Sequence, residues 1–179
     1  MAKRSAGTDD HLVLTFHAEG RPVDQLHGAA CTFLPEAHVV STSRETGGTG
    51  EPDLAELGRA MASAAREEIE RTGARRVTGI GHSRGADVLA AVAIAAPGLF
   101  DAIALLHPTR PIAGGDVPAL AMTRVLVTGG KTDDSPPPEV TQAIADWFSM
   151  QKADVMLAWH PGKHEIPQSE VDTLGDFLI

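Results

Sequence analysis

The chain is poor in three things, and each absence narrows what it can be. Among 179 residues there is one cysteine, Cys31, so no internal disulfide can form, and a reducing compartment is implied. No apolar run is long. The first, Leu12-Val13-Leu14-Thr15-Phe16, is too short for a membrane span or a signal-peptide core, although the basic pair Lys3-Arg4 precedes it. Positive charge is scarce as well: 15 Lys and Arg face 24 Asp and Glu, a formal net charge of −9 with a pI near 5.3. That balance argues against nucleic acid or an anionic membrane as partner and makes the cytoplasm the default location. There is no tyrosine, and the composition is otherwise that of an ordinary globular protein.

What is present is a regular alternation. Six short apolar runs recur: Leu12–Phe16, His38–Thr42, Val77–Ile80, Ala102–Leu106, Val125–Thr128 and Val155–Trp159. Each is continuous in its apolar character, as strands buried on both faces are. Helical patterns lie between most of them. In Pro52–Arg71, Leu54, Leu57, Met61, Ala65 and Ile69 form one stripe, and Gly73 closes it. Ala86–Ala96 is alanine-rich and stops at Pro97-Gly98. Pro138–Gln151 carries Val140, Ile144, Trp147 and Phe148, and the segment after Pro167 carries Val171, Leu174 and Phe177. A weaker helix covers about Val23–Thr32. The expected fold class is α/β: about six mostly parallel strands with helices on both faces, and no lid domain. Residues 1–10 read as a flexible segment and 11–179 as one domain.

Gly81-His82-Ser83-Arg84-Gly85 stands where a strand pattern turns into a helix pattern, the context that makes Gly-x-Ser-x-Gly a nucleophile elbow. A serine hydroxyl needs a base, and the base needs an acid to fix its tautomer. The later strand ends supply both in the order this architecture requires. Gly130-Lys131-Thr132-Asp133-Asp134 brings Asp133 or Asp134 as the acid, and Trp159-His160-Pro161-Gly162-Lys163-His164 brings His164 as the base.

These motifs resemble the small phospholipase/carboxylesterase, dienelactone-hydrolase-like branch of the α/β-hydrolases, including the hydroquinone-associated carboxylesterases. The likeness runs from Leu12 to the C-terminus. It rests on Phe16-His17-Ala18-Glu19-Gly20, Gly81–Ala86, Leu105-Leu106-His107-Pro108, Gly130–Asp133 and, most specifically, Trp159–Glu165. The resemblance implies three layers and strand order 4-3-5-6-7-8 in the family's labels. It also implies ester hydrolysis by Ser83, His164 and Asp133, the acid falling on Asp133 by its spacing from Gly130. The backbone N–H groups of Arg84 and Glu19 would form the oxyanion hole. Two departures stand out: Ala18 replaces the family's glycine, with the carboxylate of Glu19 beside it, and Ser43–Glu51 and Pro108–Ala121 are short. An open, shallow pocket for small esters is expected. His17, His82 and His107 fall at strand ends as candidates to shape it, and family habit suggests a homodimer through apolar positions of the last helix.

Other motifs carry less. Gly79-x-Gly81-x-x-x-Gly85 lies in the wrong βα unit for a dinucleotide fingerprint. Gly130-Lys131-Thr132 lacks the first glycine of a phosphate loop, since Val125 stands there. His160 and His164 have helical spacing for a metal, but Pro161-Gly162 breaks any helix between them. No cofactor or metal is expected. Asp87, one turn after Ser83, is expected to support the elbow, and His160 to make a structural bond within its loop.

Overall fold

The computed structural model describes residues 10–17, 24–42 and 53–179. Its elements run β1 (His11–Phe16), α1 (Asp24–Phe33), β2 (His38–Thr42), α2 (Leu54–Thr72), β3 (Arg76–His82) and α3 (Arg84–Ala95). They continue with β4 (Ala102–Leu106), β5 (Arg124–Gly130), α4 (Pro138–Met150), β6 (Asp154–His160) and α5 (Gln168–Leu178). A 3₁₀ turn at Pro118–Met122, which the sequence reading did not foresee, precedes β5.

All six strands pair in parallel, in the order β2-β1-β3-β4-β5-β6. In the family's labels this is 4-3-5-6-7-8, as expected. The inner strands are buried along their length because successive side chains serve opposite cores. Leu12, Leu14 and Phe16 pack with α2, α3 and α4, while Val13 joins Ile80, Leu106 and Leu126 against α1 and α5. Strand β6 closes one edge and is half-exposed, with Met156 49% accessible.

Local signals stop the helices where the sequence placed them. Asp53 caps α2 by accepting the Ala55 N–H at 2.9 Å, and Gly73 ends it at φ 69°, its N–H donating to the Ile69 carbonyl. Pro52, read as the helix's first turn, lies outside the described residues. The apolar side chains of α5 turn inward: Leu174, Phe177 and Leu178 are buried, and the Arg124 guanidinium lies 4.8 Å over the Phe177 ring. Val171 is half-buried and Ile179 is exposed. Among the described residues, no helix is long and apolar enough to cross a membrane.

Candidate active site

Parallel pairing brings the carboxyl ends of all six strands to one edge, where the polar loops collect. Strand β3 ends at His82, and α3 begins at Arg84. Between them Ser83 has φ 56° and ψ −127°, a conformation costing about 1–3 kcal/mol in a residue with a Cβ. The surroundings hold it there. Its N–H donates to the Leu106 carbonyl at 2.8 Å, and its own carbonyl accepts the N–H groups of Ala86 and Asp87 at 2.9 and 3.2 Å. The elbow also needs its two glycines. A Cβ on Gly81 would lie 2.6 Å from the Gly85 carbonyl oxygen, and one on Gly85 would collide with the Phe16 carbonyl at the end of β1. The backbone N–H of Arg84 belongs to the first turn of α3, where helix donors lack internal partners.

The other two residues arrive on loops that are stitched together. The Lys131 N–H donates to the His160 carbonyl at 2.9 Å. Thr132 reaches the Gly162 carbonyl with its N–H at 3.2 Å and its hydroxyl at 3.0 Å. Gly130 lets the loops touch, because a Cβ there would run into the carbonyls of Gly162 and Lys163. Across this seam His164 lies between serine and acid: Nε2 is 2.9 Å from Ser83 Oγ, and Nδ1 is 2.9 Å from Asp133 Oδ2. Asp133 is buried, and its Oδ1 accepts the Ser135 N–H at 3.0 Å. Burial pushes its carboxyl up, but the Ser135 N–H, the His164 ring and His107 together outweigh that and hold it below the usual value of 3.8. The neighbouring Asp134 points away. It is 82% exposed and pairs with Lys163 at 2.7 Å. Of the two acids, the structure brings Asp133 to the histidine.

The remaining candidates divide. His82 is partly exposed, its ring centroid 5.2 Å from that of His164. His17, also partly exposed, follows β1 directly, and its Cα lies close to Gly85. Glu19 lies outside the described residues. His107 does not shape an open pocket: it is fully buried beside the triad, with a positive φ of 49°. There its Nδ1 faces Asp133 Oδ2 at 3.5 Å and its Nε2 faces Glu170 Oε2 at 3.1 Å. Glu170 also takes the Thr128 hydroxyl on its other oxygen, and His160 Nε2 stands 3.7 Å from its Oε2.

This buried group escaped the sequence reading. One signal was available: Glu170 is in line with Leu174 and Phe177 at i, i+4 and i+7, so the apolar stripe of α5 begins with a carboxylate. His107, His160 and Glu170 bring three potential ligand atoms to one point. Protons argue against an ion among them. His160 Nδ1 accepts the Gly162 N–H at 3.1 Å, the structural loop bond expected of it, which leaves its proton on Nε2, the atom a metal would need bare.

Asp87 supports the site from beside the elbow. It accepts the N–H groups of Thr109 and Arg110 at 2.7 and 3.2 Å and the Thr109 hydroxyl, pinning the loop after β4. Burial raises its carboxyl above the usual 3.8, against the pull of those bonds and of Arg84. The same face of α3 borders a cavity of about 370 Å³, lined by Ala91, Ile94, Pro111, Ile112 and Ile144, with Arg59 among its walls. This apolar groove has neither Ser83 nor His164 among its walls.

No protein-family model matches the chain. The Agrobacterium tumefaciens str. C58 protein Atu2452, of unknown function, has a crystal structure that superposes with a TM-score of 0.88 at 33% identity, over 98% of this chain and 94% of that one. The Bacillus cereus carboxylesterase superposes with a TM-score of 0.85 at 20% identity, over 98% and 92%. In sequence, the Bacillus subtilis (strain 168) protein named "Putative hydrolase MhqD" is 24% identical over 182 residues, 93% of this chain and 91% of its own. The chain is thus related to Atu2452 along nearly the whole of both chains, and it shares the α/β-hydrolase fold with the carboxylesterase.

Proposed function

We propose that the protein is a carboxylesterase-type serine hydrolase acting on small-molecule carboxylic esters. The observation that carries this reading is the continuous contact from Ser83 Oγ through His164 to Asp133, two steps of 2.9 Å each, with the serine at the strained elbow. Ser83 attacks the acyl carbonyl as His164 Nε2 takes its proton. Asp133 holds His164 in the tautomer whose Nε2 is free to accept, and stabilises the imidazolium that forms. The Arg84 N–H, with a second donor from the first loop (by analogy Glu19), binds the tetrahedral oxyanion. His164 then protonates the leaving alcohol, and water, activated by the same histidine, releases the acyl group from Ser83. The groove along α3 would receive the apolar part of the ester. Thioesters and lactones suit the same machinery. An acidic chain with a single thiol would do this work in the cytoplasm.

The test is hydrolysis of p-nitrophenyl acetate and butyrate, with labelling by diethyl p-nitrophenyl phosphate followed by mass spectrometry. Wild type is expected to turn over and to gain one diethylphosphoryl group, and Ser83→Ala to lose both properties. The drop in turnover should be several orders of magnitude, about 10⁶ for a lost triad nucleophile. Equal activity in the two proteins, or labelling elsewhere, would sink the proposal.

A further inference from the structure

We propose that Glu170 is a positioning residue for the triad acid, acting through His107, so that the catalytic chain runs Ser83–His164–Asp133–His107–Glu170. The inference rests on the hydrolase reading above. Its basis is that Asp133 Oδ2 is approached from two sides: His164 Nδ1 at 2.9 Å and His107 Nδ1 at 3.5 Å. The far nitrogen of the second ring lies 3.1 Å from Glu170 Oε2. The buried His107 ring therefore lies between two carboxylates: its Nε2 is within hydrogen-bond distance of Glu170 Oε2 and of His160 Nε2, and its Nδ1 stands 3.5 Å from Asp133 Oδ2 without a hydrogen bond to it.

Glu170 is only 4% exposed. A carboxylate at such depth is retained only with donors around it. It has the Thr128 hydroxyl from β5 and His107 Nε2 from the end of β4 within hydrogen-bond distance, and His160 Nε2 from the end of β6 stands 3.7 Å away, bonded to His107 Nε2. Three strand ends thus meet one helix residue directly under the site. Anchoring α5 does not require this arrangement. Leu174, Phe177 and Leu178 already bury that helix on the sheet, and an Arg124 Nη2 bond to the Phe177 carbonyl at 2.8 Å secures its end. What the buried carboxylate adds is a fixed ring plane for His107. Rotation of that ring would remove a contact from Asp133 Oδ2, the oxygen that orients the base. The ionisable groups facing His107 are Asp133 and His164 on the loops after β5 and β6, Glu170 on α5, His160 on β6 and His82 on β3. Its Nε2 is shared between Glu170 Oε2 at 3.1 Å and His160 Nε2 at 3.2 Å, and its Nδ1 faces Asp133.

The experiment is Glu170→Gln, which keeps the shape but puts an N–H donor where one of the two acceptor oxygens stood. Three readouts apply: kcat and KM on p-nitrophenyl butyrate, the downfield proton resonance of the His164–Asp133 bond, and thermal unfolding. In a folded variant, kcat should fall about tenfold with KM changed by less than about twofold, and the resonance should shift. A merely structural residue would lower the unfolding temperature and leave both other readouts in place, and that result overturns the proposal. So would tight zinc binding by wild type that Glu170→Gln abolishes, since an ion would take the ring nitrogens that hold His107 in place. If Glu170→Gln does not fold, Thr128→Val removes the hydroxyl that orients the carboxylate. It should move kcat and the resonance in the same direction, by about threefold in kcat, and unchanged values there also overturn it. If wild type hydrolyses no ester, the hydrolase reading fails by itself, and the resonance still reports whether Glu170 governs the Asp133–His164 contact.

Discussion

Adjacent aspartates in one loop offer a sharp test of how geometry assigns roles. The perturbation is the pair Asp133→Asn and Asp134→Asn, each isosteric. The Ser135 N–H donates to Asp133 Oδ1 at 3.0 Å, so in the asparagine variant the carbonyl oxygen takes that place. The NH₂ then falls where Oδ2 stood, facing His164 Nδ1. Two donors cannot face each other, so His164 must carry its proton on Nε2. It can then no longer accept from Ser83, whose oxygen lies 2.9 Å away. Losing the correct tautomer costs about 10⁴ in kcat, equivalent to about 5.5 kcal/mol. Asp134 touches no member of this chain. Its ion pair with Lys163 is between side chains 82% and 64% exposed, and such pairs contribute at most about 1 kcal/mol to stability. Asp134→Asn should leave kcat within about twofold of wild type. The assay is steady-state hydrolysis of p-nitrophenyl butyrate, with circular dichroism to establish that both variants fold. A loss at Asp134 equal to that at Asp133, or an Asp133→Asn enzyme retaining more than about a tenth of wild-type kcat, would refute the reasoning.

Gly85→Ala should destabilise the protein by about 1–3 kcal/mol or more. The new methyl meets the Phe16 carbonyl and the His17 Cα, backbone that cannot step aside as a side chain could. At this chain length that is a fall of about 2–4 °C in Tm per kcal/mol, and an unchanged melting curve would show that β1 and α3 have slack. The two buried aspartates should also respond to pH with opposite sign. Asp133 is held below its usual 3.8, so its contribution to stability is present above that value and lost as pH falls through its lower folded value. Asp87 is raised, so its contribution is present below 3.8 and lost as pH climbs through its higher folded value. Between about pH 3 and pH 6, the stability lost in Asp133→Asn relative to wild type should grow and that lost in Asp87→Asn should shrink. Thermal unfolding across that range gives both slopes, and a common sign would contradict the account.

Much of this molecule follows from local rules. The six strands were legible because burial on both faces demands unbroken apolar runs, and the helices because their stripes and Gly73 obey one-dimensional signals. The elbow was legible because its requirement for glycine is written in five consecutive residues. The groove along α3 was not, since its walls come from α2, α3, α4 and the loop after β4.

By itself the sequence determined the strand and helix pattern, the elbow, and the order in which serine, acid and histidine follow one another. Those features depend on neighbours along the chain or on spacing from a glycine. Only the tertiary structure decided which of two adjacent aspartates meets His164, and that His107 lies beneath the site rather than open to substrate. It alone revealed Glu170. Each of these depends on where a side chain points once strands β3 to β6 and helix α5 have closed around it. A carboxylate at the start of an amphipathic helix looks the same in sequence whether it ends in water or under a catalytic acid. Packing made that choice, by turning the apolar stripe of α5 onto the sheet and carrying Glu170 in with it.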